Sequence, residues 1–339
     1  MIPTVVLLAA GMSTRYGRLK QLEPVGPGGE ALLDYAVFDA RRAGFSRVLL
    51  IIREELEEVF RAHIEGRWPE DLAVAFHHQR IDDLPGVHPT LGTHIAPAVV
   101  LANREKPWGT AHALFTARAQ LPGPFVVLNA DDFYGEGAFL KAAEFLGGTE
   151  VWSGEAPAEI GEIPTFGLVT YTLEDSLSDH GGVSRGICRV NSQGWLEGVQ
   201  EVLEIRRVDE RISGRTVPGQ GLELNGMEPI STNFWIFTPE IFPVLEAGFV
   251  DFFRTQVELP SLQPDAPPDA PPDAPPDAPP EFLIPTEVNR AIAQGVARVR
   301  GIPTLDRFLG ITHPEDRSWV ENGLEEMTKE GRYPSPLWA

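Results

Sequence analysis

The chain has a single cysteine, Cys188, among 339 residues. An intrachain disulfide framework and a cysteine-based metal cluster are therefore excluded, and a lone buried thiol is expected. Positive charge is also scarce, with 28 Lys and Arg against 49 Asp and Glu and a formal net charge of −21. Nucleic-acid binding leans on a positive surface, so that class of partner is excluded. Long apolar runs are missing as well. The N-terminal run MIPTVVLLAAG stops at Gly11 without a basic flank, so neither a secretory leader nor a membrane span is expected, and the reading is a cytoplasmic protein. Two familiar phosphate loops are absent too: G-x-x-x-x-G-K-[ST] does not occur, and Gly11 and Gly17 do not complete G-x-G-x-x-G.

What is present is enough apolar residue, 42%, to fill a sizeable core. Residues 5–10 form a short continuous apolar run, the mark of a strand buried on both faces in a parallel sheet. Helical spacing over 32–43 ends at Gly44, and RVLLII at 47–52 reads as a second buried strand. A helix at 54–64, a strand at 72–76, a helix at 109–119 and the strand FVVLN at 125–129 continue the alternation. The fold class expected is α/β, a doubly wound and mostly parallel sheet with ligands at the carboxyl ends of its strands. Beyond Phe139 the pattern turns to strands at 165–172, 186–190, 195–199 and 231–237, expected as a β-rich cap supplying the acceptor side of a cleft. Residues 264–280 read PDAPPDAPPDAPPDAPP, a repeat that cannot build a core and is expected as an extended, solvated insertion within a domain.

Three stretches carry chemistry. LLAAGMSTRYGRLKQ, residues 7–21, follows the first apolar run with a glycine, hydroxyls and the cations Arg15, Arg18 and Lys20. In so acidic a chain such a cluster points to a specific anion. VVLNADDFYG, residues 126–135, ends a buried strand in Asp131 and Asp132, which suits Mg²⁺ or, equally, a turn or helix cap. KPWGTAHAL, residues 106–114, is a Gly-Thr turn entering a helix, where free N–H groups can meet polar ligand atoms. Together the three describe a loop that cradles a triphosphate, an acid that holds Mg²⁺ on it, and a turn that reads base or sugar. His77 and His78, adjacent after a strand, point to opposite faces and read as surface or turn residues. Trp108 reads as core, His112 as nucleotide contact or packing, and Glu54 to Glu58 as a solvated helix face.

In their order and rough spacing these stretches resemble the sugar-phosphate nucleotidyltransferases. LAAGMSTRYGRLKQ looks like that family's L-x-[AG]-G-x-[GS]-[ST]-R loop followed by a lysine, PWGTAHAL like its nucleotide turn, and NADDFYG like its metal-binding strand end. The resemblance spans most of residues 2–316, with a C-terminal segment at 317–339. It implies Mg²⁺-dependent transfer of a nucleoside monophosphate from an NTP to a sugar 1-phosphate, with release of pyrophosphate. Carried over residue by residue, it implies catalytic roles for Arg15, Lys20 and Asp131, with Asp131 also the metal ligand. Nucleotide contacts would fall to Leu8, Ala10, Gly11, Gly109 and Thr110, and sugar contacts to Gly186, Glu201 and Asn233. Uridylyl or thymidylyl transfer is the family habit. The chain departs from the pattern at Glu201-Val202-Leu203, where relatives often carry Glu-Lys-Pro, and at FLGITHPED, which lacks an acid where a second metal ligand usually lies; Asp306 is the nearest candidate. Two other functions fit the same core: a glycosyltransferase acting on a nucleotide-sugar, and a nucleotide-sugar sensor without catalysis. Neither the acceptor nor the oligomeric state follows from the sequence.

Overall fold

The computed structural model describes residues 3–11, 14–15, 18–85, 104, 106–147, 163–217, 219–258 and 279–338; at 14, 15, 18 and 256–258 it describes the backbone alone. Most of the proline repeat therefore lies outside the described residues. The first half alternates strand and helix: β1 (Thr4–Leu8), a small ribbon of β2 (Thr14–Arg15) and β3 (Arg18–Leu19), α1 (Leu32–Arg42), β4 (Arg47–Ile52), α2 (Glu57–Ile64), β5 (Ala73–His78), α3 (Thr110–Thr116), β6 (Phe125–Asn129), β7 (Asp132–Phe133) and α4 (Glu136–Phe145). β5, β4, β1 and β6 are parallel neighbours in that order.

Their apolar runs are unbroken because both faces are covered. Val5, Leu7, Val48, Leu50, Val126 and Leu128 belong to one core cluster, together with Ala36 of α1, Phe60 of α2 and Phe139 of α4. Val6, Leu49, Ile51 and Val127, which alternate with them, join Leu114 of α3 in a second cluster. The sheet is doubly wound, as expected. β5 reaches two residues further than its apolar run, and its last two side chains show the same alternation. His77 Nε2 lies 2.9 Å from Thr116 Oγ1 of α3, and His78 Nε2 lies 2.6 Å from Glu57 Oε2 of α2.

The second half contributes β8 (Thr165–Thr172), β9 (Val183–Val190), β10 (Leu196–Val208), β11 (Arg211–Thr216), β12 (Gly221–Leu224), β13 (Pro229–Phe237), α5 (Ile241–Phe252), α6 (Ile284–Ala293), β14 (Arg298–Pro303), β15 (Leu309–Gly310) and α7 (Asp316–Lys329). These strands make up the β-rich second half. They extend the same sheet to eleven strands among the described residues, because β13 pairs antiparallel with β6 and carries β8 and β9 with it.

β13 is the junction, and it is kinked. Three residues, Thr232 to Phe234, stand opposite one of β8, since Ser231 pairs with Thr170 and Trp235 with Leu168. At the centre of this bulge Asn233 has φ 65°, a left-handed conformation that asparagine tolerates better than most residues. Along one edge β13 keeps β8 throughout; along the other it pairs with β6 over Trp235 to Phe237 and with β9 at Ile230 and Ser231. A cleft opens where β6 stops and β9 takes over.

Candidate functional site

Leu8 at the end of β1 is level with Ile51 of β4 and Asn129 of β6. Just past it the Ala9 N–H donates to the Ile51 carbonyl at 2.8 Å, and the Ala130 N–H to the Leu8 carbonyl at 3.2 Å. The loop from Ala9 to Gly11 and the turn carrying Asp131 and Asp132 thus leave the sheet side by side. After the β2–β3 ribbon, in which Arg15 pairs with Arg18, the chain returns through a 3₁₀ turn, Lys20–Leu22. That return brings Lys20 Nζ to 2.5 Å from Asp131 Oδ2, with side-chain exposures of 13% and 23%. The Arg15 and Arg18 side chains lie outside the described residues.

Asp132 adds a second carboxylate beside the first. Burial, then the charge of Asp131, pushes its carboxyl up to about 6, against the pull of Lys20. Its Oδ2 accepts the Asn129 amide at 3.0 Å. Asn129 Oδ1 in turn accepts the Asn233 amide at 2.8 Å, and Asn233 Oδ1 accepts the Trp235 indole N–H at 2.8 Å. A chain of hydrogen bonds therefore runs from the acid at the end of β6 to the bulge of β13.

The Gly-Thr turn sits on the same side. Gly109 has φ 105°, and a Cβ there would stand 2.5 Å from the Phe282 carbonyl oxygen, so only glycine fits. Phe282 is stitched to this turn: its N–H donates to the Trp108 carbonyl at 2.6 Å and its carbonyl accepts the Ala111 N–H at 3.0 Å. The expectation of free donors at this helix entry thus meets an Ala111 N–H already taken. The Thr110 hydroxyl accepts the Ile284 N–H at 3.2 Å, and Gln79 donates to the Gly109 carbonyl at 3.0 Å. His112, wholly buried, is a packing residue: Gln79 bonds one ring nitrogen and the Asp83 carbonyl the other. Trp108, also wholly buried, packs against Phe249 and Phe253 and donates its indole N–H to the Ile81 carbonyl.

One cavity of about 300 Å³ joins residues drawn from across the chain, among them Thr110, Asp132, Gly186, Glu201 and Asn233. Gly186 and Glu201 are cross-strand partners on β9 and β10, and a Cβ on Gly186 would meet Val199 at 2.6 Å. Burial pushes the Glu201 carboxyl up, with Arg185 pulling the other way. Asn129, Arg185 and Thr232 also line this space and were not singled out from sequence. Only the adjacency of Arg185 to Gly186 could have drawn attention to it.

Asp306 stands apart. Its carboxyl packs over Gly135 and Gly137 at the start of α4 and accepts the Thr304 hydroxyl at 2.9 Å. It lines a different recess of about 880 Å³. Cys188 is buried, and its thiol is pushed up to about 12, so it is an inert core residue.

Among the described residues no group of three or more His, Cys, Asp or Glu is arranged to hold a metal. Asp131 and Asp132 nevertheless fit Mg²⁺, which takes one or two carboxylates and completes its shell with water and substrate phosphate oxygens. No described helix is long and apolar enough to cross a membrane.

Residues 5–133 match the sequence profile of a family described as the MobA-like NTP transferase domain. No curated protein sequence matches the chain. Among solved structures it is similar to the inositol-1-phosphate CTP transferase from T. maritima, with a TM-score of 0.56, 12% identity and 97% of each chain covered. It is also similar to HddC from Yersinia pseudotuberculosis complexed with GMP-PN, at TM-score 0.52 and 14% identity over 95% of this chain and 99% of the other. A UDP-glucose pyrophosphorylase complexed with UDP-glucose gives TM-score 0.50 and 14% identity over 96% and 99%. At such identities the likeness speaks to fold, and it extends over nearly the whole chain. The Gly11 loop and the Asp131 strand end both lie inside the segment, residues 5–133, that matches the MobA-like NTP transferase domain.

Proposed function

We propose that this protein transfers a nucleoside monophosphate from an NTP to a sugar 1-phosphate or similar phosphorylated acceptor, releasing pyrophosphate, with Mg²⁺ as cofactor. The observation that carries the reading is the contact of Lys20 with Asp131 just past β6, next to Asp132, which lines the cavity together with Glu201 and Asn233. In the reaction an oxygen of the acceptor phosphate attacks the α-phosphorus. A new P–O bond forms as the bond to the β-phosphate bridging oxygen breaks, and pyrophosphate carries off the electron pair. The attacking group is already an oxyanion, so no catalytic base is required.

What the chain must supply is in-line positioning and positive charge where negative charge builds up. Lys20 neutralises the space between α-phosphate and acceptor, Arg15 steadies the pyrophosphate, and the loop backbone at Leu8, Ala10 and Gly11 meets the nucleotide. Gly109 and Thr110 face base or sugar. When bound by Asp131, Mg²⁺ supplies Lewis-acid polarisation of the phosphate oxygens. The similar structures include a CTP transferase, a GMP-PN complex and a UDP-glucose complex, so the fold imposes no single base; UTP and dTTP are the donors to test first. The protein is proposed to work in the cytoplasm.

The test is pyrophosphate release across NTPs and sugar 1-phosphates. Asp131→Asn and Lys20→Ala are each expected to lower turnover by about 10²-fold or more. Hydrolysis of a nucleotide-sugar with no NTP consumed would replace this reading with the glycosyltransferase one. Tight nucleotide-sugar binding without turnover would replace it with the sensor.

A further inference from the structure

Arg185 is a half-buried cation without an ion-pair partner among the described residues. It lies on β9 beside Gly186, over the ring of Phe308, whose centroid is 5.6 Å from its Cζ. Its Nε–H donates to Ser176 Oγ at 3.2 Å, one Nη2–H to the Ser176 carbonyl at 2.8 Å and one Nη1–H to the Ser184 carbonyl at 2.9 Å. A guanidinium has five N–H donors, so two remain. The neutral oxygens it touches hold the fork in place without closing an ion pair on it.

Three carboxylates lie near it, and two are otherwise engaged. Asp316 accepts the N–H groups of Thr312 and His313 and the Ser178 hydroxyl; Asp132 accepts the Asn129 amide. None of the three approaches Arg185 within ion-pair distance among the described residues. Arg185 lines the cavity described above and also a second recess of about 120 Å³. A planar fork held in place with two donors free, on the wall of a cavity, matches a phosphate group.

Two neighbouring groups call for a different chemistry. The Thr232 hydroxyl is buried without a hydrogen-bond partner, and Glu201 offers its carboxylate to the cavity with no bonded partner among the described residues. Both suit ligand hydroxyls, which donate and accept in turn.

We propose that Arg185 receives the phosphate of the acceptor, taking the place of the lysine that is missing after Glu201, and that the site selects a phosphomonoester borne on a polyhydroxylated ring. This rests on the transfer reading for its place in the reaction, but the binding itself is measurable without turnover. The guanidinium holds the acceptor phosphate on the Asp132 side of the cavity, towards the Lys20–Asp131 contact, while Glu201 and Thr232 hold ring hydroxyls.

The test titrates the full-length protein calorimetrically with glucose 1-phosphate, inositol 1-phosphate, inorganic phosphate and, as uncharged control, glucose. Wild type is expected to bind at least one sugar or inositol phosphate more tightly than inorganic phosphate, and glucose weakly or not at all. Arg185→Gln is expected to weaken phosphomonoester binding at least tenfold while NTP affinity stays within about twofold, and Arg185→Lys to fall between the two. Should Arg185→Gln fail to fold, Glu201→Gln remains informative, because removing a negative charge from the cavity should tighten inorganic phosphate severalfold. Arg185→Gln binding the phosphomonoesters as wild type does, wild type binding none of them, or Glu201→Gln leaving phosphate affinity unchanged would each overturn the proposal. If no NTP is consumed with any acceptor while Arg185→Gln still loses the phosphomonoester, the transfer reading fails and the Arg185 assignment stands.

Discussion

His112 shows how a residue that looks like chemistry can be spent on structure. It follows the Gly-Thr turn by two positions, yet both ring nitrogens are used inside the protein, and burial holds the imidazole down to about 4 against an ordinary value of 6.5. Between those values the unfolded chain binds a proton that the native chain refuses. The stability His112 confers is therefore complete above about pH 6.5 and is lost as pH falls towards 4, amounting to about 3 kcal/mol. Urea unfolding at pH 7 and pH 5 should show this slope. His112→Gln is expected to be less stable at pH 7, by about 1–3 kcal/mol, and to lose much less between the two pH values. Nothing in PWGTAHAL distinguishes a satisfied histidine from a ligand; the partners Gln79 and Asp83 lie about thirty residues away. Lys20 and Asp131 were legible because each ends or follows an apolar strand, although their contact spans 111 residues and exists only because β1 and β6 run parallel and adjacent.

At the scale of elements, strands buried on both faces declared themselves: residues 47–52, 125–129 and 165–172 were read with the bounds observed. The kink in β13 was not legible. Its cause is a change of partner from β6 to β9, a long-range event that leaves only STNF in the sequence, and the strands read as a cap are continuous with the core sheet for the same reason. Asn233 pins the kink by its left-handed backbone and by its amide, which joins Asn129 to Trp235. Asn233→Ala should lose both hydrogen bonds and bear a strained backbone, for about 2–3 kcal/mol of stability. Asn233→Gly, which relieves the backbone but not the amide, is expected to recover about 1 kcal/mol of that. Chemical denaturation of the two variants separates conformation from hydrogen bonding.

Across the whole molecule the C-terminal stretch is bound into the core. Val320, Leu324 and Met327 of α7, with Tyr333 and Leu337, cluster with Leu32 and Tyr35 of α1 and Phe133 of β7. The Tyr333 hydroxyl donates to Asp39 Oδ2 at 2.8 Å, and Asp39 is buried far enough to lie well above the usual carboxylate range. Removing residues 331–339 would strip this acid of its donor and open the aromatic cluster. The expected cost is about 5 kcal/mol or more, seen as a fall in Tm of about 10 °C or more by thermal unfolding. This docking was not legible, because its contacts reach back some 290 residues.

The partner change along β13 also sorts what selection can act on. The loops proposed to meet the nucleotide hang from the parallel strands, the side chains proposed to meet the acceptor from β9 and β10, and the two groups share a single strand as their common border. Substitutions on one side can accumulate without rewriting the other, so that a lineage could exchange its acceptor while keeping its nucleotide, or the reverse.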